Sequence, residues 1–403
     1  MLIVQKFGGT SVGDLERIQN VANRVAKTKA AGNDVVVVVS AMSGETNKLI
    51  SYAEHFSSNP KREEVDMLLS SGERVTAALL SIALNEMGHP AVSMSGRKAG
   101  IVTDEVHTKA RIEEIDPSNM HRELEEGKIV VVAGFQGVDS KGNVTTLGRG
   151  GSDLSAVAIA GALKADLCEI YTDVPGIFTT DPRIEPKAKK LERISYDEML
   201  ELASLGAKVL QNRSVELAKK LNVNLVTRSS FSEEEGTLIT KEENIMEKPL
   251  VSGIALDKNQ ARVSLMGVKD RPGIASDIFN ALADANVNVD MIIQNKAHND
   301  KTNIDFTVPV TDLGDAKDVV AKFVGNDEIE AESYNEAICK VSVVGVGMKS
   351  HSGVAAKAFS TMAKENININ MISTSEIKIS MVIDEKYAEL AVRSLHNAYE
   401  LDK

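Results

Sequence analysis

Residues 1 to about 245 alternate between short apolar runs and segments of helical periodicity. The runs Val35–Val39 and Ile129–Ala133 contain no polar residue, as expected of strands buried on both faces. Helical spacing of apolar residues is found in 14–29, 61–86 and 153–163. This alternation predicts the α/β class, with a mostly parallel sheet sandwiched by helices. Ligands of such sheets bind beyond the carboxyl ends of the strands.

The first strand and the first helix are joined by Lys6-Phe7-Gly8-Gly9-Thr10-Ser11. Glycine lets backbone N–H groups approach an anion closely, and the helix N-terminus and Lys6 add positive charge. The stretch is not a Walker P-loop, because Asp14 and Leu15 stand where Lys and Ser/Thr are required. Taken alone, it fits a phosphate site or an ordinary tight turn equally well.

Composition narrows the class of protein. The chain has 403 residues, 43% of them hydrophobic, and a net charge of −12, with no basic patch. Two or three domains are therefore expected, and nucleic acid or an anionic membrane is not expected as a partner. We expect a cytoplasmic protein without a signal peptide or membrane-spanning run, with Cys168 and Cys339 as reduced core residues. No metal-ligand spacing is found among the seven histidines.

The character of the chain changes near residue 245, where the segment 241–249 is polar. We place a domain boundary there, which divides the chain into 1–245 and 246–403. The segment 246–403 contains an internal repeat: Val263-Ser264-Leu265-Met266-Gly267 returns as Val341-Ser342-Val343-Val344-Gly345.

Each copy of the repeat reads as a ferredoxin-like βαββαβ unit, but the second copy ends before its last strand. An additional strand, Leu250–Leu256, precedes the first copy. We therefore expect the first repeat (about 262–338) to be nested inside the second (about 250–257 plus 339–403).

Three further stretches carry polar groups suited to a site. Leu147-Gly148-Arg149-Gly150-Gly151-Ser152-Asp153 offers close backbone approach, a bidentate arginine for a carboxylate and an aspartate able to orient Lys6. Ser71-Gly72-Glu73-Arg74 lies inside a helical pattern, and Glu73 could hold an ammonium group or simply be solvated. The loop 172–183 is polar and turn-rich, and fits a nucleotide or an ordinary loop.

Together these stretches resemble a family. Lys-Phe-Gly-Gly-Thr-Ser, Ser-Ala-Met, Gly-Glu-Arg, Gly-Phe-Gln-Gly, Leu-Gly-Arg-Gly-Gly-Ser-Asp and Thr-Thr-Asp-Pro-Arg occur in the order found in aspartokinases. The repeat resembles their tandem ACT domains, and the likeness covers essentially the whole chain. The resemblance implies the amino-acid kinase fold plus two ACT domains, of the monofunctional type.

The resemblance also implies an activity, the transfer of the ATP γ-phosphoryl group to the side-chain carboxylate of L-aspartate, with ATP and Mg²⁺ as cofactors. The implied catalytic residues are Lys6 and Asp153. The implied ATP-binding residues are Lys6, Gly8, Gly9, Ser40, Thr172, Asp173, Phe178, Thr179, Thr180, Asp181, Pro182, Arg183 and Lys208. The implied aspartate-binding residues are Thr46, Glu73, Arg149, Gly150, Gly151 and Ser152. Phe178 stands where relatives often have tyrosine, so a hydroxyl contact is lost there.

Elementary chemistry agrees with this reading. A carboxylate is already a nucleophile at neutral pH, so no general base is needed. The reaction instead requires positive charge between two anions, with Mg²⁺ carried by the ATP phosphates and no dedicated metal site. Two alternatives stay open: an amino-acid kinase acting on another substrate such as glutamate, and a catalytically inactive amino-acid sensor.

The ACT resemblance implies feedback control by lysine or threonine, bound between a glycine loop and a strand entry. The implied effector-binding residues are Asp270, Gly273, Ile274, Ala275, Asn288, Asp290, Gln294, Val354, Ala355, Asn368, Ile369 and Ser375. Asp270 and Asp290 would suit a cationic lysine side chain, whereas Asn370 and Ser375 suit a neutral hydroxyl amino acid. Expected partners are a second copy of the chain or a short regulatory subunit beginning at Met246.

Overall fold

The computed structural model describes residues 1–204, 209–244, 250–296, 301–326 and 328–403. The chain divides into two compact units. The first contains residues 1–177, 190–204 and the described part of 208–247, and the second contains 178–189 and the described part of 248–403. The loop 178–189 therefore clusters with the C-terminal unit, although it lies inside the N-terminal part of the sequence.

The first unit is a three-layer α/β unit. Its strands are β1 (Leu2–Phe7), β2 (Asp34–Val39), β3 (Ala91–Met94), β4 (Ile101–Thr103), β5 (Ile112–Ile115), β6 (Ile129–Ala133), β7 (Gln136–Val138), β8 (Val144–Thr146), β9 (Leu167–Thr172), β10 (Arg193–Ser195), β11 (Leu225–Ser229) and β12 (Thr237–Thr240). Its helices are α1 (Leu15–Ala30), α2 (Glu45–Phe56), α3 (Arg62–Glu86), α4 (Ser118–Glu125), α5 (Gly151–Ala162), α6 (Tyr196–Ser204) and α7 (Asn212–Leu221), with a 3-10 turn at Glu242–Asn244.

The main sheet has eight strands in the order β10-β12-β11-β9-β1-β2-β6-β3. All neighbours are parallel except β11 and β12, which confirms the predicted mostly parallel sheet. Because β9, β1, β2 and β6 are adjacent and parallel, their carboxyl ends meet at one edge. A small second sheet, β5-β4-β7-β8, was not foreseen.

Helices α1 and α3 cover one face of this sheet, and α5 packs against β1, β2 and β9. The core on the α1 and α3 side includes Phe7, Val37, Leu80 and Val131. Helix α5 is built from small residues and is buried along nearly its whole length, so it lies close to the sheet. Cys168 is free and buried in β9, and burial raises the pKa of its thiol.

Helix α3 differs from the expectation that no apolar run reaches membrane-spanning length. It has 25 residues and a mean hydropathy of 1.3 over its most apolar window, which is enough by length and composition to cross a membrane. Half of that window is buried inside the unit, and Ala77, Leu80 and Leu84 belong to the core. We therefore interpret α3 as a core helix.

The second unit is an α/β unit with an antiparallel sheet ordered β14-β15-β13-β16-β18-β17. Its strands are β13 (Gly253–Lys269), β14 (Ile292–Lys296), β15 (Lys301–Val308), β16 (Ala331–Val344), β17 (Met371–Thr374) and β18 (Lys378–Asp384). Its helices are α8 (Ile274–Asp284), α9 (Leu313–Gly325), α10 (Val354–Lys364) and α11 (Ala388–Ala398), with 3-10 turns at Val310–Asp312, Val346–Ser350 and Glu385–Tyr387.

The two repeats share one continuous sheet, because β13 and β16 run through both. Residues 253–257 of β13 pair with 340–344 of β16, whereas residues 261–269 pair with β15 and with the first half of β16. The expected separate strand at 250–256 is thus the first part of a 17-residue strand. Register shifts between Asp257 and Arg262 mark the joint. Each half has its own apolar core, one around Phe306 and one around Met381.

Candidate active site

The glycine loop after β1 follows directly on a strand that includes Lys6 and Phe7. The amides of Ser11 and Val12 donate to Gly8 O, whereas those of Gly9 and Thr10 have no acceptor among the described residues. A Cβ on Gly9 would stand 3.1 Å from Ala41 O, tighter than ordinary packing. The loop therefore needs a glycine and presents free backbone donors.

We expected the N-terminus of α1 to direct its positive end at an anion, but in the structure this terminus is already capped. The Asp14 carboxylate caps this helix and accepts a hydrogen bond from the Arg17 amide at 2.8 Å. Since the cap already places a negative charge there, the positive charge at this edge comes chiefly from Lys6.

Lys6 and Asp153 meet at the sheet edge. Lys6 Nζ lies 2.6 Å from Asp153 Oδ1, and both side chains are nearly buried. A Cβ on Gly8 would approach Lys6 Nζ to 3.2 Å, so the loop passes close to the ammonium group. The structure thus brings together the lysine of the first motif and the aspartate of the fifth.

The loops that follow β1, β2 and β6 are tied to each other by their backbones. The Ser40 amide donates to Phe7 O at 3.1 Å, and the Gly134 amide donates to Val39 O at 3.0 Å. Thr46, expected to bind substrate, lies in the first turn of α2 and is half-buried. This helix begins after Gly44, which has a φ of +80° and makes no side-chain cap.

Glu73 is a buried carboxylate facing the same edge. Its Oε1 accepts the Ala41 amide at 3.1 Å, and its Oε2 is buried without a hydrogen-bond partner among the described residues. Desolvation by burial raises the pKa of Glu73 to about 7, partly offset by backbone hydrogen bonds. An unpaired buried carboxylate oxygen costs free energy unless a cation or donor completes it.

Gly72, which precedes Glu73, allows α3 to pack closely against the loop that follows β2. A Cβ on Gly72 would stand 2.8 Å from the Ala41 Cβ, so any larger residue would push the loop and α3 apart. The sequence-based interpretation of Gly72 as a close-packing residue therefore agrees with the structure.

The arginine loop enters α5 through two left-handed glycines. Gly148 and Gly150 have φ values of +76° and +70°, a region that side chains disfavour. Arg149 is exposed, and no described carboxylate lies within ion-pair distance of its guanidinium. Ser152 is buried at the first turn of α5. The arginine is thus available to a carboxylate ligand.

Two residues at the start of α7 hold this loop, and sequence reasoning missed both. Gln211 Nε2 donates to Arg149 O at 2.9 Å, and Arg213 Nη1 donates to Leu147 O at 2.9 Å. A Cβ on Gly150 would stand 2.6 Å from the Gln211 side chain. No local signal identifies them, because their partners lie more than 60 residues earlier in the chain.

Asp66, also missed, connects α3 to the entry of the arginine loop. It is fully buried and accepts hydrogen bonds from His107 Nδ1 at 2.7 Å, the Thr108 amide at 3.1 Å and Thr146 Oγ1 at 2.5 Å. The only available signal is an acidic residue two helical turns before Glu73 in an otherwise apolar pattern. Asp66 is therefore a fixed anchor for the strand that leads to Arg149.

The expected nucleotide residues are divided between the units. Thr172 and Asp173 follow β9 in the first unit, where Thr172 Oγ1 donates to Asp173 Oδ1 at 3.0 Å and Asp173 is exposed. Lys208 lies outside the residues that the structure describes.

The remaining expected nucleotide residues lie in the second unit, in the loop 178–189. Arg183 pairs with Asp181 at 2.6 Å and is largely exposed, as is Pro182; Thr180 is buried and Phe178 is half-buried.

Thr179, expected to contact the nucleotide, has hydrogen-bond partners inside the second unit. Its hydroxyl lies 2.9 Å from His396 Nε2 and accepts the Lys189 amide at 3.0 Å. Its own amide and carbonyl are bonded to Lys189 and Ile254. Every polar group of Thr179 is thus engaged inside the second unit, and its role as a nucleotide contact stays a prediction.

The expected effector residues are found at corresponding places in the two repeats. Gly273, Ile274 and Ala275 begin α8, and Val354 and Ala355 begin α10 after Gly353. Both N-cap glycines have φ near +95° and make no side-chain cap. The first turns of both helices therefore keep uncapped amide groups.

The strand entries lie beyond these helices and are mostly exposed. Asn288 donates its amide to Asp312 Oδ2 at 3.2 Å, and Gln294 is on β14. In the second repeat, Asn368 and Ile369 precede β17 and Ser375 follows it.

Asp290 corrects the expectation of two free carboxylates for a lysine ligand. Its carboxylate contacts the ammonium group of Lys340, a buried residue of β16. Asp270 is exposed and has no partner in the described part of the chain. Only one of the two carboxylates is therefore free.

Comparisons with known proteins agree with this architecture. The amino acid kinase family profile matches residues 1–228, and ACT domain profiles match 262–324 and 341–399. An aspartokinase of Helicobacter pylori is 61% identical over 407 residues, covering 100% of both chains, and aspartokinase 2 of Bacillus subtilis is 52% identical, covering 100% of this chain and 98% of its own.

Solved structures are similar as well. E. coli aspartokinase III in complex with aspartate and ADP, an R-state structure, has a TM-score of 0.80 at 27% identity and 99% coverage of both chains. The same enzyme with lysine and aspartate, in the T-state, also has a TM-score of 0.80 at 27% identity, covering 98% of this chain and 99% of its own.

The fold and the site define an amino acid kinase with a C-terminal pair of ACT domains. The full-length identities narrow the class further: the chain belongs to the aspartokinase family, whose members phosphorylate the side-chain carboxylate of L-aspartate with ATP.

Proposed function

We propose that the loops at the carboxyl ends of β1 and β2, with the N-terminus of α5, form the site where this aspartokinase makes 4-phospho-L-aspartate. The nearly buried Lys6–Asp153 pair beside Gly8 supports this most directly. In this proposal Lys6 and the glycine loop at Gly8 and Gly9, whose Gly9 amide has no acceptor among the described residues, stabilise the transferring phosphoryl group, with Ser40 nearby. Asp153 orients the Lys6 ammonium.

The substrate would be held at its α-carbon. Arg149 binds the α-carboxylate bidentately, and the buried, unpartnered Glu73 Oε2 accepts the ammonium group. Thr46 and Ser152, with the backbone of Gly150 and Gly151, complete the aspartate site. The side-chain carboxylate then attacks without a general base, since it is ionised at neutral pH.

The nucleotide contacts remain proposals. In the first unit they are Thr172 and Asp173. In the loop 178–183 they are Phe178, Thr179, Thr180, Asp181, Pro182 and Arg183, and we also keep Lys208.

Mg²⁺ is expected on the ATP phosphates, where it neutralises charge developing during transfer. No group of three His, Cys, Asp or Glu side chains converges among the described residues. Mg²⁺ commonly binds through substrate phosphates and water together with one or two carboxylates.

The test is ADP release with Mg²⁺-ATP, comparing L-aspartate with L-glutamate, N-acetylglutamate and no acceptor. Turnover with aspartate at rates typical of kinases is expected, with the longer acceptors at least 100-fold less efficient. Preference for a longer acceptor, or no acceptor-dependent release, would contradict the proposal.

We also propose that residues 246–403 are the regulatory region, with the boundary near residue 245. Each uncapped helix start, at Gly273 and at Gly353, binds the α-carboxylate of an amino-acid effector. Lysine is the leading effector, and threonine the second. An effector must prefer one conformation to change activity.

Inhibition by lysine and threonine, singly and together, tests this in the wild type and in Asp290→Ala and Asp270→Asn. Because Lys340 already pairs with Asp290, we expect Asp270→Asn to weaken lysine inhibition more than Asp290→Ala. Activity insensitive to both amino acids would rule out the effector assignment.

The assembly and the location of the protein are proposals as well. We propose a cytoplasmic homo-oligomer associating through its ACT domains. A short subunit starting at Met246, which lies outside the described residues, stays a separate proposal. Size-exclusion chromatography with light scattering tests the homo-oligomer, and a monomer would reject it. An immunoblot of native cells with an antibody against the C-terminus tests the short subunit, and a single full-length band would reject it.

A further inference from the structure

A cavity of about 500 Å³ lies in the first unit between α1 and the segment 230–233 that follows β11. Phe7 and Ser11 belong to its lining, so it adjoins the glycine loop. None of Lys6, Gly8, Gly9, Arg149 and Asp153 lines it. The cavity is therefore beside the proposed phosphoryl-transfer residues but not made of them.

Its lining is strongly basic for a chain of net charge −12. Arg17, Arg24 and Lys27 all line it from α1, spaced seven and three residues apart, which puts them on one face of the helix. Glu233 is the single acidic residue among the lining residues that the structure describes.

Aromatic rings contact the guanidinium groups of two of these residues, Arg24 and Arg17. The Arg24 guanidinium lies 5.1 Å from the Tyr171 ring centroid and donates to Ser232 O at 2.9 Å. The Arg17 guanidinium lies 5.4 Å from the Phe231 ring centroid. Guanidinium groups oriented in this way lose less freedom when they bind an anion.

Glu233 supplies the negative charge that pairs with Arg24 and Lys27. Its carboxylate lies 3.2 Å from Arg24 Nη2 and 3.0 Å from Lys27 Nζ, and hydrogen bonding to Lys27, with the charge of Arg24, lowers the pKa of Glu233. The side chain of Glu233 is nevertheless 70% exposed. Exposed ion pairs contribute little, so a ligand with more than one negative charge can replace this carboxylate.

The hydroxyl of Ser232 is a further polar group in the cavity lining that could bind a ligand. Ser232 Oγ is buried and lacks a hydrogen-bond partner among the described residues. It belongs to the cavity lining, where a ligand oxygen could satisfy it.

We propose that this cavity binds a small multivalent anion, carrying phosphate or carboxylate groups, through Arg24, Lys27 and Ser232, with Glu233 displaced to solvent. The cavity walls also touch the glycine loop. Arg17 Nη1 donates to Thr10 O at 2.6 Å, and Ser11 Oγ lies 2.5 Å from Ser230 Oγ. Binding of the anion is thus coupled to the loop that carries Gly8 and Gly9.

The absence of tryptophan from the chain gives a direct test. Phe231→Trp in the full-length protein places one indole at the cavity wall. Titration with inorganic pyrophosphate and, separately, with citrate should give a saturable fluorescence change with at least one of them. Pyrophosphate alone indicates a phosphate ligand, and citrate alone a carboxylate ligand. Saturation by neither overturns the proposal.

Charge variants in this background locate the binding. The double variant Arg24→Gln/Lys27→Gln should bind at least tenfold more weakly, whereas Glu233→Gln should bind severalfold more tightly. Lys29→Gln is the matched control, because Lys29 is on the same helix but pairs with Asp34 outside the cavity. Equal loss in Lys29→Gln would mean a general charge effect and reject the site.

Binding at the catalytic site is excluded by Lys6→Ala, which should leave the affinity unchanged. Loss of the signal in Lys6→Ala would assign it to the phosphoryl-transfer site instead. Isothermal titration calorimetry on wild type, Arg24→Gln/Lys27→Gln and Glu233→Gln repeats the comparison without a tryptophan, should Phe231→Trp fail to fold.

Discussion

Lys6 Nζ lies 2.6 Å from Asp153 Oδ1, although the two residues belong to different motifs. Lys6 is on β1 and Asp153 in the first turn of α5, and α5 packs on β1. The contact fixes one positive charge where the glycine loop begins. A preorganised cation at this position stabilises the charge that develops on a transferring phosphoryl group without reorganising.

Lys6→Ala should lower kcat by about 100- to 1,000-fold, the range for loss of one preorganised donor. Aspartate affinity and folding should be largely kept. Asp153→Asn should cost less, and the double variant should be no worse than Lys6→Ala, because Asp153 acts through Lys6. Steady-state kinetics with Lys29→Ala as the control checks this. A Lys6→Ala enzyme with near-normal kcat contradicts the assignment.

Glu73 predicts a pH dependence of aspartate binding. Burial raises the pKa of Glu73 to about 7 in the free enzyme, but the proposed ammonium contact needs the ionised carboxylate. The KM for aspartate should therefore fall about tenfold as pH rises from about 6 to about 8. Glu73→Gln should show a raised KM without this pH dependence. Identical pH profiles in the two enzymes would remove Glu73 from the substrate site.

The raised pKa of Glu73 also makes the free energy of unfolding depend on pH. Because the folded-state pKa lies above the unfolded value of 4.5, stabilisation by the protonated form is present at low pH. It is lost as pH rises through about 7, unless an ammonium group binds.

Arg149→Ala should raise the KM for aspartate roughly 10- to 100-fold, since hydrogen bonds to charged groups contribute about 1.5–3 kcal/mol. The KM for ATP should change little, because the guanidinium is proposed to hold only the α-carboxylate. Arg122→Ala, an exposed arginine of α4, is the control. Equal increases in both KM values would argue against this role.

Asp66→Asn should destabilise the protein by about 1–3 kcal/mol, since it replaces a buried acceptor of three donors by an amide. It should also raise the aspartate KM more than the ATP KM, because Thr146 leads into the Arg149 loop. Denaturant unfolding and kinetics measure the two effects, with the exposed Glu64→Gln on the same helix as control. Unchanged values for both measurements would show that Asp66 is not an anchor.

His396 predicts acid sensitivity of the C-terminal unit. It is buried, its Nε2 lies 2.9 Å from Thr179 Oγ1, and desolvation lowers its pKa below 6.5. The unfolded chain therefore takes up the proton first, so stability is lost as pH falls from about 6.5 towards the folded pKa. Thermal unfolding midpoints between about pH 8 and pH 5 should fall less steeply in His396→Asn. Parallel curves would mean that another group controls the acid response.

The sequence by itself determined the main helices and strands and the family to which the chain belongs. Helix 62–86 follows from local periodicity and strand 129–133 from an uninterrupted apolar run, patterns that each segment carries alone. The phosphate-loop motif and the ACT repeat are likewise local patterns, and the family they indicate is confirmed by full-length relatives. Residue roles inside the site remain proposals.

The tertiary structure alone decided which polar groups are already occupied. Asp290 pairs with Lys340, and Thr179 with His396, so two predicted ligands have internal partners. Asp66, Gln211 and Arg213 hold the arginine loop from positions far away in sequence. The continuity of β13 through both repeats also depends on pairing with β16. Periodicity and turn chemistry act over a few residues, whereas hydrogen-bond and ion-pair partners are chosen by how distant segments pack.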